Sequence, residues 1–141
     1  MKTYAHTLTT KASKESIWEL WSSVDDWNKW DEDIRDAEIS GPFESGTIGY
    51  LKPIHGPLTR FRLKETHFQE SFTVKSKLPL GRMYMVHEMK EDEDTLSLTH
   101  SIIFKGPLSF LYARVIGKRL NKELPNTMHH LIDAAETKTL H

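Results

Sequence analysis

The chain has 141 residues and a mass of 16.4 kDa, which is enough for one domain with a sizeable core. Its 19 Lys and Arg against 20 Asp and Glu leave a net charge of −1, which argues against a nucleic-acid partner. Cysteine is absent, so disulfide frameworks, thiol nucleophiles and cysteine zinc sites are excluded. The first residues are polar and no apolar run reaches the ~20 residues of a membrane span, so we expect a soluble cytoplasmic protein with no integral membrane association.

The first elements are a strand and two short helices. Residues 3–10 alternate in polarity and are rich in threonine, which predicts a strand. Ser13 can cap a helix whose apolar side chains recur at helical spacing from Ile17 to Val24. A second short helical piece follows at residues 26–30.

The middle of the chain has a period of two, which is typical of strands. Six strand candidates lie between turn signals, near residues 34–40, 47–53, 58–67, 71–78, 82–90 and 95–105. Connections this short permit antiparallel hairpins and exclude crossover helices. We therefore predict an antiparallel meander.

The last segment predicts one long amphipathic helix. After Gly106 and Pro107, apolar residues recur at steps of three and four over about 28 residues. Pro125 lies inside this helix and should bend it. The helix has one apolar stripe and the sheet has one apolar face. The predicted fold class is therefore α+β: a curved antiparallel sheet of about seven strands wrapped around the C-terminal helix, with a cavity between them.

A set of motifs accompanies this order of elements. They are Ser16-Ile-Trp18, Trp27 to Trp30, Gly41-Pro-Phe-Glu-Ser-Gly46, Gly49, Leu51, Lys52, Pro53, Phe72, Leu78-Pro-Leu-Gly81, Met85, His87-Glu88, Thr99-His100, Gly106-Pro-Leu108, Ile116-Gly117 and Leu124-Pro125. The ordered set resembles the START/SRPBCC superfamily and, within it, the polyketide cyclase/dehydrase-like group. This resemblance implies a helix-grip fold, a single ligand-binding domain over residues 1–141, and a cavity for a hydrophobic small molecule. It does not fix a reaction.

One pair of histidines is the most specific feature of the predicted sheet. Strands 82–90 and 95–105 each hold one histidine on the more apolar face. An acidic turn joins these strands, so the numbers of paired positions sum to roughly 185 or 187. His87 then faces Leu98 or His100, and the two histidines are inward neighbours in either register.

Three roles are open for His87 and His100. They can orient a ligand, act as general acid or base, or be buried structural groups. A metal site would need a third ligand. Glu65 and His67 share the parity of Phe61 but are not brought near the pair. We therefore expect no metal and no other cofactor.

The predicted cavity wall consists of inward sheet and helix side chains, with two tyrosines as further polar contacts. The candidate ligand-binding residues are Tyr50, Phe61, Leu63, Phe72, Val74, Met83, Met85, His87, Met89, Leu98, His100, Ile102, Tyr112, Ile116 and Leu120. The methionines can equally be core filler. The tryptophans can seal one end of the core, or Trp27 and Trp30 can form a lid.

Two functions are consistent with these residues. The leading hypothesis is binding or transport of a hydrophobic small molecule of lipid, polyketide or isoprenoid type. The alternative is a polyketide cyclase or dehydratase that uses His87 or His100 as acid or base. A protein-interaction module would need a large exposed apolar patch, whereas the outer strand faces read as charged. No nucleotide-binding or serine-nucleophile motif is present. The ligand and the oligomeric state are left open.

Overall fold

The computed structural model of the protein describes residues 2–140, except for the side chains of residues 139 and 140. Seven strands, two short N-terminal helices and a long C-terminal helical segment follow one another in chain order. The first elements are β1 (Lys2–Thr10), α1 (Lys14–Ser22), a 3-10 helix (Val24–Lys29), β2 (Ile34–Ile39), β3 (Ile48–Pro53) and β4 (Thr59–His67). They are followed by β5 (Ser71–Leu78), β6 (Gly81–Asp92), β7 (Thr95–Lys105), α2 (Ser109–Tyr112), a π-helical turn (Ala113–Gly117) and α3 (Lys118–Leu140).

The strands form one antiparallel sheet in the order β1-β7-β6-β5-β4-β3-β2. The predicted meander is confirmed, because each strand from β2 to β6 pairs with the next one along the chain. β1 returns to pair with β7, which leaves β1 and β2 as the two edges. The architecture is the α+β arrangement predicted from the sequence, with a curved sheet packed on the long C-terminal helix.

The predicted start of α1 is confirmed in detail. The side chain of Ser13 accepts a hydrogen bond from the backbone N–H of Ser16 at 3.1 Å, which satisfies one of the free donors of the first turn. The indole N–H of Trp27 donates to the carbonyl of Trp21 at 2.9 Å. This bond ties the 3-10 helix to α1 and fixes the side of the sheet on which the tryptophans lie.

The C-terminal helical segment is interrupted at Ala113–Gly117, where it takes a π-helical turn. Pro125, where the sequence predicts a bend, lies within the continuous α3. The hydroxyl of Tyr4 donates to the carbonyl of Ala113 at 3.1 Å. A Cβ at Gly117 would meet the rings of Tyr4 and Phe104, so the missing side chain lets the helix approach the sheet closely here.

A bulge in β4 changes one prediction. Pairing with β5 shifts by one residue between Leu63 and Glu65. Such an insertion moves the residues beyond it to the other face of the sheet. Glu65 and His67 are therefore exposed and do not share the inward face of Phe61, so the predicted parity is wrong for these two residues.

Candidate functional site

A cavity of about 460 Å³ lies between the sheet and the start of the C-terminal helix. This volume is within the range of roughly 300–1,000 Å³ that small-molecule sites occupy. Its walls come from β4 to β7, the 3-10 helix, the β3–β4 connection and the helix residues from Ile116 to Thr127. The side chains on these walls are predominantly apolar, so the cavity suits a hydrophobic ligand.

The cavity occupies only one end of the inward face of the sheet. At the other end that face is filled, since Leu63, Phe72 and Leu98 are fully buried in the core. Trp21 of α1 packs edge-on against Phe72, with ring centroids 5.3 Å apart. The histidines mark the boundary, because they line the cavity while their rings also lie 5.8 and 5.9 Å from the ring of Trp21.

His87 and His100 are directly opposite each other on β6 and β7. The register is therefore the second of the two that the sequence allows. Their ring centroids are 4.5 Å apart and the planes are inclined by 69°. The ring of His87 also stacks face to face on Phe72 at 4.0 Å, which fixes its orientation.

Both histidines are neutral at pH 7. Burial lowers the pKa of His87 to about 3, although the main-chain carbonyls of Phe72 and Met85 partly oppose this shift. Burial also lowers the pKa of His100 well below its usual value, and the nearby imidazoles of His87 and His6 lower it further. A neutral imidazole carries one N–H donor and one acceptor, so each ring can make two hydrogen bonds.

The hydrogen-bonding capacity of this pair is not met within the described chain. His87 Nδ1 and His100 Nε2 are sealed from solvent and have no hydrogen-bond partner. The indole nitrogen of Trp30, another cavity-lining residue, is sealed and unpartnered as well. Unpaired buried polar groups are uncommon and costly, and they recur at functional sites.

A third histidine extends this row. His6 on the edge strand β1 pairs directly with His100, so His6, His100 and His87 lie side by side on three adjacent strands. His6 is half-buried. Sequence reasoning missed this relationship because the partner of β1 is not encoded in any local turn. The inward position of His6 among Tyr4 and Leu8 was the available signal.

The wall of the cavity carries a second titratable group that sequence reasoning missed. Asp31 follows the 3-10 helix and lines the cavity. Burial raises the pKa of Asp31 from 3.8 to about 6, and the charges of Asp33 and Glu32 add to the shift. The backbone N–H of Asp33 donates to Oδ1 of Asp31 at 3.0 Å, which partly opposes the rise in the pKa of Asp31. Asp31 is therefore a carboxyl group that titrates near neutrality inside an apolar site.

Polar contacts close the rim of the cavity beside Asp31. Arg119 at the start of α3 forms an ion pair with Asp33 at 3.0 Å. About two and three turns further on, Asn126 and His130 contact the two carboxylate oxygens of Glu32 at 3.4 and 3.5 Å. These contacts tie the loop before β2 to α3 and hold the two walls of the cavity together.

The predicted wall residues divide into two groups. Those that line the cavity are Phe61, Val74, Met83, Met85, His87, His100, Ile102, Ile116 and Leu120. Those that do not are Tyr50, Leu63, Phe72, Met89, Leu98 and Tyr112. A role of the first group in ligand binding stays a prediction.

The six that do not line the cavity have clear physical reasons. Tyr50 is on the outer face of β3, because the inward residues there are Gly49 and Leu51. The hydroxyl of Tyr112 donates outside the cavity, to the carbonyl of Pro79 at 2.7 Å. The remaining residues, Leu63, Phe72, Met89 and Leu98, face inward but belong to the filled end of the sheet.

The two interpretations of Trp27 and Trp30 can be distinguished. Trp27 and Trp30 are buried and form a wall of the cavity, with Trp27 stacked on Phe61 at 5.7 Å, so they are not an exposed lid. Within residues 2–140, no three side chains of the ligating types converge as a metal ion would require. Glu65 and His67 contact each other at 3.8 Å on the outer surface.

Comparison with known proteins shows the fold. No family model matches the chain, and no curated protein matches its sequence. Among solved structures, it resembles a hypothetical protein, jhp0584, from Helicobacter pylori with a TM-score of 0.77 and 9% identity over 95% of this chain and 88% of that one. It also resembles norcoclaurine synthase from Thalictrum flavum, with a TM-score of 0.70 and 16% identity over 99% of this chain and 87% of the other.

A third similar structure is the di-domain ARO/CYC StfQ of the steffimycin biosynthetic pathway. Its TM-score is 0.76 at 12% identity, over 96% of this chain and 51% of StfQ. The chain therefore has the helix-grip fold that these solved structures share. Across residues 2–140, none of the helices combines the length and the apolar character that crossing a bilayer requires.

Proposed function

We propose that this protein binds and carries a hydrophobic small molecule of lipid, polyketide or isoprenoid type. The observation that supports this proposal is the predominantly apolar cavity of about 460 Å³ whose wall includes two neutral histidines. Transfer of a ligand from water to apolar walls contributes about 25 cal/mol per Å² of buried apolar surface. The walls supply affinity, and the histidines supply orientation.

The charge state of the histidines favours orientation over catalysis. With a pKa of about 3, His87 holds a proton in only about one molecule in 10⁴ at pH 7, and it is a weak base. A general acid or base works best when its pKa lies near the working pH. Neutral imidazoles that line the cavity remain suitable polar contacts for a ligand hydroxyl, carbonyl or phenol.

Asp31 supports a second candidate, a cyclase or dehydratase. Its pKa of about 6 places a proton donor and acceptor inside the cavity at neutral pH, which acid–base chemistry on an enolisable substrate requires. In this alternative Asp31 moves the proton, and His87 and His100 hold the carbonyl oxygen. The descriptions of two proteins of similar fold are consistent with an enzyme. StfQ is an ARO/CYC, and norcoclaurine synthase has been solved in complex with dopamine and hydroxybenzaldehyde.

Native mass spectrometry of the purified protein, followed by organic extraction, tests the carrier. A discrete mass adduct that is released as an apolar compound is the expected result. Met85→Trp should displace the adduct by filling the cavity, whereas Val86→Trp on the outward side of the same strand should retain it. A protein without adduct that also gains no thermal stability from a panel of fatty acids, isoprenols and aromatic polyketides would contradict the proposal.

Incubation of the protein with the extracted compound, together with variants of Asp31 and His100, distinguishes a carrier from an enzyme. If the extracted compound is incubated with the protein and returns unchanged, the carrier is supported. If it is converted, Asp31→Asn should lower kcat by roughly the 10²–10⁴-fold that acid–base residues contribute, and His100→Gln should mainly raise KM. An equal loss of kcat in His100→Gln would assign the chemistry to the histidine instead.

A further inference from the structure

The end of the molecule at which the cavity opens has an unusual surface. Connections in an antiparallel meander alternate between the two ends of the sheet. The β3–β4 and β5–β6 connections and the start of the C-terminal helix therefore lie at the same end. We call the segments 52–60, 77–82 and 105–119 the mouth face.

Contacts within the mouth face show that its segments form one surface. The backbone N–H of Leu108 donates to the carbonyl of Leu80 at 3.1 Å, and Tyr112 donates to Pro79. The β3–β4 connection faces the helix across the cavity, since His55 and Ile116 both line it. The exposed lining residues, from His55 to Pro57, mark the opening itself.

Large apolar side chains project from the mouth face into solvent. Phe110 is 70% exposed, Leu80 68%, Val115 65% and Leu58 64%, and Ile54 and Leu111 are also exposed. Single exposed apolar residues are ordinary, but a group of six around one opening is typical of an interaction site. The sequence predicts charged outer strand faces and no such patch, because these residues lie on connections and on the helix.

The two ends of the sheet also differ in charge. The mouth face holds eight basic residues and none of the 20 acidic residues of the chain. The basic residues are Lys52, Arg60, Lys77, Arg82, Lys105, Arg114, Lys118 and Arg119. The acidic loop that holds Asp31 and Asp33 borders the mouth face, since the backbone N–H of Ile54 donates to the carbonyl of Asp33 at 2.9 Å. The carboxylate of Asp33 is paired there with Arg119. The opposite end of the sheet carries the acidic turn from Glu91 to Asp94.

We propose that the mouth face docks on the surface of an anionic lipid membrane, with its apolar side chains in the interface and its basic side chains among the headgroups. Basic residues near an anionic leaflet and apolar side chains inserted at its boundary act together in such binding. Mostly aliphatic side chains interleaved with Lys and Arg suit a membrane partner better than a nucleic-acid partner. Proteins contact nucleic acid mainly through stacking aromatic side chains and polar donors. The inference goes beyond carriage of a ligand, since docking does not depend on what the cavity holds.

Vesicle flotation tests the proposal with the whole chain. We expect the protein to float with vesicles that contain one third phosphatidylglycerol in phosphatidylcholine, to remain unbound with phosphatidylcholine alone, and to be released by high salt. Arg114→Glu with Lys118→Glu should weaken binding at least ~10-fold. Lys11→Glu with Lys90→Glu makes the same change in net charge at the opposite end and should leave binding unchanged.

A second pair of variants tests the apolar contribution. Phe110→Ser with Val115→Ser should weaken binding at least ~10-fold, because two exposed side chains no longer enter the interface. Phe68→Ser at the opposite end, where the ring is 72% exposed, should have no effect on binding. Circular dichroism and thermal melting confirm that each variant is folded.

Several outcomes would overturn the proposal. One is binding that is equal on neutral and anionic vesicles, or equal in the two charge-reversal pairs. Another is a dimer, detected by light scattering, that Val115→Ser dissociates, since the face would then be covered by a second copy of the chain. Competition by duplex DNA that depends on Arg114 and Lys118 but not on Phe110 would assign the surface to nucleic acid. None of these results bears on whether the cavity holds a ligand, so the two proposals fail separately.

Discussion

His87 and His100 face each other across the longest hairpin of the sheet, with ring centroids 4.5 Å apart and one sealed, unpartnered nitrogen on each ring. Two neutral imidazoles at the end of an apolar cavity contribute little to stability, because their hydrogen bonds are incomplete within the described chain. They contribute instead to the wall of the cavity, where a bound molecule can contact their rings. The contribution of these histidines to the free energy of unfolding can therefore be measured separately from their contribution to ligand binding.

Replacement of His87 by an apolar residue of similar size should leave the fold stable. We expect His87→Leu to change the free energy of unfolding at pH 7 by less than about 1 kcal/mol, because no hydrogen bond with good geometry is lost. Leu98→Ala, its control in the filled end of the sheet, should lose about 2–5 kcal/mol. Urea unfolding measures both variants. A loss above about 2 kcal/mol in His87→Leu would mean that the imidazole makes a stabilising bond.

Acid should destabilise the protein through the same residues. The folded pKa of His87, about 3, lies below its ordinary value of 6.5, so below pH 6.5 the unfolded chain binds a proton that the folded chain does not. Stability therefore falls as the pH drops from 6.5 toward 3, by up to about 1.4 kcal/mol per pH unit for this residue. His87→Leu should lose less stability than the native chain between pH 7 and pH 5. Parallel pH profiles of the two proteins would contradict a neutral buried imidazole.

Asp31 should have the opposite effect. Its folded pKa of about 6 is above the value of 3.8, so the folded chain holds the proton more tightly, and this contribution to stability is lost as the pH rises through 6. Asp31→Asn should therefore raise the free energy of unfolding at pH 7 by about 1–3 kcal/mol and have little effect at pH 4. Asp36→Asn, on an exposed strand position, is the control. Urea unfolding at both pH values decides, and an Asp31→Asn variant that is destabilised at pH 7 would show that the charged carboxylate is needed there.

Gly117 should be intolerant of a side chain. A Cβ would lie within 2.9 Å of the Phe104 ring and would also clash with Tyr4, so the π-helical turn must move away from the sheet. We expect Gly117→Ala to lose about 1–3 kcal/mol despite the better helix propensity of alanine. Gly41→Ala, whose Cβ would find its nearest neighbour at 3.7 Å, should be neutral. Equal thermal stability of the two variants would show that the helix can shift without cost.

Most of the sheet could be predicted because its pairing is local. Each strand from β2 to β6 pairs with the next one, so a tight turn and the alternation of side chains fix which residues face inward. The opposed histidines followed from one acidic turn, with only the choice between two registers left open. β1 has no such turn to its partner, and for that reason the place of His6 beside His100 could not be derived.

The remaining errors arise where a local rule is interrupted or where burial depends on distant elements. The bulge after Leu63 reverses the faces of Glu65 and His67, and no turn or glycine announces it. Tyr50 was within reach of the parity rule, since its neighbours Gly49 and Leu51 are the inward residues. Asp31 lies in a loop, and its raised pKa depends on how the 3-10 helix and the cavity enclose it, which no sequence pattern reports.

The separation of charge between the two ends of the sheet gives the molecule a permanent electric dipole along the strands. A net charge of −1 suggests a protein that ion exchangers hold weakly. With eight basic residues and no acidic residue on the mouth face, and the acidic turn from Glu91 to Asp94 at the other end, the chain should instead be retained at low salt by both cationic and anionic resins, in opposite orientations. Its chromatographic behaviour is thus set by the arrangement of the charges rather than by their sum.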